Sequence, residues 1–73
     1  MNEYIDIGKR LRENRDKLGM TQGYLAAILH VDVHTIANWE HGRSVPSAFD
    51  LIEMRTAFHE SIEEILRLEK EEP

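Results

Sequence analysis

Apolar residues recur at three- and four-residue intervals along nearly the whole of this chain, the spacing of helices that bury one stripe and expose the rest. With 73 residues and only Pro46 and Pro73 to interrupt it, the chain is expected to be one all-α domain spanning 1–73. A first helix is read from about Tyr4 to Leu18, with Ile7, Leu11 and Leu18 on one face and Gly19 just past its end. Thr21 fits an N-cap for a second helix, about Gln22 to Leu29, whose inner stripe is read as Leu25, Ile28 and Leu29. His30 and Val31 leave room for a sharp turn before Asp32, which can cap a third helix of about 33–41 that Gly42 ends. After "GRSVP", Ser47 caps a fourth helix reaching about Phe58, with Asp50 three residues on and Leu51, Met54 and Phe58 facing inward. "SIEE" at Ser61 reads as a capping box that starts a fifth helix, about 61–73 with its acidic tail, in which Ile62, Ile65 and Leu66 complete the core.

A domain this short buries too little surface to build a deep substrate cavity beside a stable core, and no nucleophile and base arrangement or phosphate loop is visible. We therefore expect no enzyme, no cofactor and no small-molecule substrate. The absence of cysteine removes disulfides and thiolate sites, and the four histidines share no tight ligand spacing, so no metal is expected either. No apolar run approaches the roughly 20 residues of a spanning helix, so a soluble cytoplasmic protein with no membrane partner is the expectation.

The net charge of −5 is unfavourable for nucleic-acid binding, since Lys and Arg supply most non-specific affinity for phosphate. Its distribution softens that objection. Residues 1–59 carry a net of −1 and residues 60–73 a net of −4, while "GKRLRENRDK" holds five of the seven cations of the first segment.

Two short helices joined by a tight turn form a helix-turn-helix, in which the second helix is offered to the DNA major groove. "LGMTQGYLAAILHVDVHTIANWEHGRSVPS" closely resembles the lambda-repressor-like, Xre-type helix-turn-helix family, and the likeness runs from Ile7 to Leu66. Its most specific parts are "TQ" at 21–22, "LA" at 25–26, "TIANWEHG" at 35–42 and Pro46-Ser47. The resemblance implies a compact five-helix domain with the helix-turn-helix at helices 2 and 3, encoded by a bacterium or phage.

The resemblance also assigns roles. Base edges would be met by Val33, His34, Ala37 and Asn38, of which the Asn38 carboxamide can pair bidentately with adenine. Phosphates would be met by Gln22, Thr35, Arg43, Lys9 and Arg10, with backbone amides at the starts of helices 2 and 3. Arg15 and Glu40 would form a structural ion pair between helices 1 and 3. Ile36 is expected to be buried, and Trp39 partly so, holding the recognition helix at its angle.

The sequence departs from the family pattern at four places. His30 stands where glycine is common, His59 where glycine or asparagine is common, Glu60 where a buried aliphatic residue is usual and Arg55 where a small one is. An ion pair from Arg55 to Glu60 or Glu64 is one conceivable repair. Leu68 lies off the core stripe and is read as a dimer contact, for which a two-fold symmetric operator is the natural target; the alternative for this acidic end is a frayed, solvated tail that keeps non-specific DNA binding low. The expected partner is thus double-stranded DNA, bound by a homodimer that acts as a repressor. The alternative is a protein-interaction module, such as an antitoxin or an antagonist of another regulator, with a protein partner.

Overall fold

The computed structural model describes the backbone of residues 3–71 and, within it, the side chains of residues 5–64 and of Leu66. The described residues form four helices: α1 (Glu3–Lys17), α2 (Gln22–Leu29), α3 (Val33–Glu40) and α4 (Ala48–Glu71). The all-α class is as expected. The five-helix count is not, because the fourth and fifth helices are one.

Local chemistry explains where α1, α2 and α3 stop. Each ends in the same two-bond arrangement, with a residue in the left-handed region just beyond the helix. After α1, Gly19 N–H donates to Asp16 O at 3.1 Å and Met20 N–H to Arg15 O at 3.0 Å. After α2, His30 N–H donates to Ala27 O at 3.3 Å and Val31 N–H to Ala26 O at 3.0 Å. After α3, Gly42 N–H donates to Trp39 O at 3.1 Å and Arg43 N–H to Asn38 O at 2.9 Å. The pivots Gly19, His30 and Gly42 have φ of 69°, 57° and 73°. Glycine occupies such a conformation freely, whereas a residue with a Cβ loses roughly 1–2 kcal/mol there. His30 tolerates it because the next residue, Val31, packs against the core once the chain has turned.

The starts are equally explicit. Tyr24 N–H donates to Thr21 Oγ1 at 3.0 Å, and His34 N–H to Asp32 Oδ1 at 2.7 Å. Ser47 and Asp50 cap α4 reciprocally: Asp50 N–H donates to Ser47 Oγ at 3.0 Å and Ser47 N–H to Asp50 Oδ2 at 3.0 Å.

His59 is the place where the chain departs from the expected ending. A stop there requires the left-handed pivot that His30 adopts, but the following residue is the exposed Glu60, which gains nothing by turning inward. Helical hydrogen bonding therefore runs on through 59–61, and Ser61 sits inside α4 rather than capping a new helix. Among the described residues no ion pair links Arg55 to Glu60 or Glu64; the ion pairs are Arg12 to Asp16 at 3.8 Å, and Arg15 to Asp16 at 3.2 Å and to Glu40 at 2.8 Å.

Leu11, Met20, Leu25, Ala26, Ile36, Trp39 and Met54 make the core, with Leu18, Leu29, Val31 and Phe58 packed around it. Leu25 and Ile36 have no exposed surface, and Trp39, expected to be partly buried, is buried outright at 4%. Four inward assignments change. Ile28 is 37% exposed because the inner face of α2 runs through Leu25, Ala26 and Leu29, at spacings of one and three residues. Leu51 is 44% exposed, and Ile62 and Leu66 are each 45% exposed, because no fifth helix folds back to cover them.

Replacing His30 with glycine keeps the turn and removes the Cβ strain. We expect His30→Gly to stabilise the protein by about 0.5–1 kcal/mol, the strain relieved less the greater entropy of unfolded glycine, as measured by urea denaturation. A lower midpoint than the parent would show that the His30 side chain contributes more than its backbone conformation costs.

Candidate nucleic-acid interface

Helix α3 is held by a polar knot beneath it. Arg15, in α1, is only 8% exposed. Its Nε donates to Glu40 Oε2 at 2.8 Å and its Nη2 to Glu40 Oε1 at 3.1 Å, a two-pronged contact that fixes orientation as well as distance. The third nitrogen, Nη1, donates to Met20 O at 2.7 Å and so ties in the turn after α1. Gln22, the first residue of α2, adds a bond from Nε2 to Glu40 Oε1 at 3.1 Å. One carboxylate at the C-terminal end of α3 is therefore gripped from α1 and α2 together.

The close approach that makes this knot possible depends on Gly8, a position to which the sequence pattern drew no attention. A Cβ there would lie 2.2 Å from Trp39 O and 2.7 Å from Glu40 O, so only glycine lets α1 rest against the end of α3. A lone glycine inside an amphipathic helix is the signal that marks such a contact. Gly42 has a second constraint besides its positive φ, since a Cβ would meet Ile5 Cγ1 at 2.8 Å.

The charges respond to the contact. The hydrogen bond to Glu40 raises the Arg15 pKa above its ordinary value; burial opposes this, and the negative charges of Glu40 and Asp16 assist it. Burial alone would push the Glu40 carboxyl up. The hydrogen bonds from Arg15 and Gln22, with the positive charges of Arg15 and Arg12, outweigh it and hold the carboxyl below its ordinary value.

Anchored on this side, α3 turns the rest of its surface outward. Val33 is 40% exposed, His34 is exposed, and Thr35, Ala37 and Asn38 are half-buried. Arg43 stands exposed in the loop after Gly42, and His41 Nδ1 lies 2.7 Å from Ala37 O, folded back over the last turn of its own helix. Lys9 and Arg10 are both exposed on α1, and Arg10 lines a groove between α1 and α4. The Leu68 side chain lies outside the described residues.

Two short helices at a tight turn, the second braced from beneath and open above, are what the helix-turn-helix family is built from. The family described as Helix-turn-helix matches residues 11–65, most of the chain. This chain belongs to that family, in its Xre and lambda-repressor-like branch. Among curated proteins it is similar to Antitoxin HigA-2 of Vibrio cholerae serotype O1, with 36% identity over 56 residues, covering 74% of this chain and 54% of the relative. The chain thus spans about half the length of that relative. No solved structure matches it significantly. No helix among the described residues is long and apolar enough to cross a membrane.

Because the folded Glu40 pKa lies below its ordinary value of 4.5, its contribution to stability is complete above that value and is lost as pH falls through the folded pKa. Glu40→Gln leaves the buried Arg15 charge without its partner, so at pH 7 it should cost on the order of 3 kcal/mol in urea denaturation. The gap between parent and variant should close as pH drops below 4.5. A gap that stays constant down to pH 3 would show that the Glu40 charge is not what stabilises the pair.

Proposed function

We propose that this protein is a sequence-specific regulator that occupies a two-fold symmetric operator as a homodimer and acts as a small repressor. The observation that carries the reading is the division of α3. Ile36, Trp39 and Glu40 are turned into the protein, while Val33, His34, Ala37 and Asn38 keep exposed surface along the other side. That outer side is small and chemically mixed, suited to base edges: the Asn38 carboxamide to adenine, Val33 and Ala37 to a thymine methyl, His34 to a guanine or a phosphate. Phosphates on either side are met by the amides at the starts of α2 and α3, by Thr35 and Arg43, and by Lys9. Gln22 has a double role, since one hydrogen of its Nε2 is donated to Glu40 and the second remains to be donated to a phosphate of the duplex. Arg10 belongs to the second rank of phosphate contacts, given its place on the α1/α4 groove.

A second reading is favoured by one observation, the likeness to a protein named as an antitoxin. In it, the chain is a protein-interaction module whose main task is to bind a protein partner, with DNA binding secondary. The two overlap, and they separate by whether the isolated chain binds DNA tightly.

The test is fluorescence anisotropy against labelled duplex from upstream of the protein's own gene, with a shuffled duplex as control, at two salt concentrations. We expect tight, salt-dependent binding to the upstream duplex alone; equal failure on both duplexes by folded protein moves the assignment to the protein-partner reading. Asn38→Ala should lose about 1–3 kcal/mol on the specific site and little on the shuffled one. Arg43→Ala should weaken both and shallow the salt dependence by about one phosphate contact, so an unchanged slope removes Arg43 from the contacts.

A further inference from the structure

The unbroken α4 leaves an open groove of about 910 Å³ between itself and α1. Ile7, Leu11 and Leu18 line one wall; Leu51, Met54 and Phe58 line the other. Cations stand along it: Arg10 and Lys17 from α1, Arg55 from α4. The second half of α4 adds Glu60 and Ile62 to the groove lining and carries Leu66, one helical turn past Ile62, outside it; Ile62 and Leu66 are each 45% exposed and flanked by the exposed Glu60, Glu63 and Glu64. An apolar groove with a basic rim and an acidic helix with an apolar face are thus parts of one molecule. A straight helix cannot bring Leu66 back to the groove beside its own first half.

We propose that two copies of this chain exchange the C-terminal halves of α4, each laid in the α1/α4 groove of the other. The interface is self-complementary about a two-fold axis, as a closed dimer requires. With the two α4 helices antiparallel and the axis close to His59, Leu66 of one copy falls opposite Ile52 of the other, and Glu63 opposite Arg55. Ile52 is 62% exposed, which fits a residue lacking its partner in the single chain. Arg55 and Glu60, which depart from the family's small and aliphatic residues, become the charged contacts of such a pairing. Val33, His34, Ala37 and Asn38 are not among the groove residues, so the exchange leaves the outer side of α3 open. This interface rests on the dimer proposed above and gives it a structure.

The chain has no cysteine of its own, which allows a clean test with the double variant Ile52→Cys/Leu66→Cys, a short bis-maleimide and the solution mass measured in parallel by light scattering. Within one α4 the two positions are about 21 Å apart along the axis, beyond the reach of the reagent. Exchange predicts a dimeric mass and a covalently linked dimer on a denaturing gel. A monomeric mass with an internally linked chain would mean that the segment fills its own groove, overturning the proposal. A dimeric mass without the covalent dimer overturns the exchange and leaves the dimeric regulator intact; a monomeric mass without any link overturns both. Failure to bind DNA in the anisotropy assay bears on the regulator alone. As a second variant, Ile52→Glu should raise the dimer dissociation constant at least tenfold while the far-ultraviolet circular dichroism stays unchanged. An unchanged dissociation constant would overturn the exchange.

Discussion

The Arg15 to Glu40 contact is the point on which three of the four helices depend. Apolar packing around Leu25 and Ile36 is non-directional and would tolerate several angles between α1, α2 and α3. A planar guanidinium meeting a carboxylate through two parallel hydrogen bonds is not so tolerant. Arg15 also holds the Met20 carbonyl and Gln22 holds the same carboxylate, so the turn after α1 and the start of α2 are fixed by the same group that fixes the end of α3. Every ionised atom in the knot has a partner, which offsets the desolvation that burial imposes. Gly8 belongs to this arrangement although it makes no polar bond, because its missing Cβ lets α1 come close enough for Arg15 to reach.

The helix endings form the other half of the architecture. The same backbone arrangement closes α1, α2 and α3, and it keeps the two central helices at eight residues each. Helices this short have little stability of their own and form here because tertiary packing supports them. Where the arrangement is missing, at His59, the helix continues for another three turns. The difference between His30 and His59 is the residue that follows: Val31 buries apolar surface after the turn, and Glu60 has none to bury.

The continuation of α4 links association with the distribution of charge. Acidic residues concentrated in 60–73 would repel DNA if they lay beside α3. In the exchanged dimer proposed above they lie against Arg10, Lys17 and Arg55 of a second copy, whose positive charge offsets theirs. The near-neutral body then presents the recognition helix, and the modest number of cations available for phosphate keeps non-specific binding low.

The all-α class, the ends of α1, α2 and α3, and the residues on the outer side of α3 were legible in the sequence, since caps, glycine pivots and apolar spacing act within a few residues along the chain. The helix-turn-helix was legible for the same reason: "TQ", the turn at 30–32 and "TIANWEHG" are local signals. What the sequence alone left open was decided between segments far apart in it. Gly8 gains its meaning only against Trp39 and Glu40, and Gln22 joins the ion pair only because α2 starts beside the end of α3. The fifth helix was misread because "SIEE" is a valid capping box locally. Whether a helix breaks before such a box depends on whether the turned segment finds surface to bury, and that is a property of the folded chain.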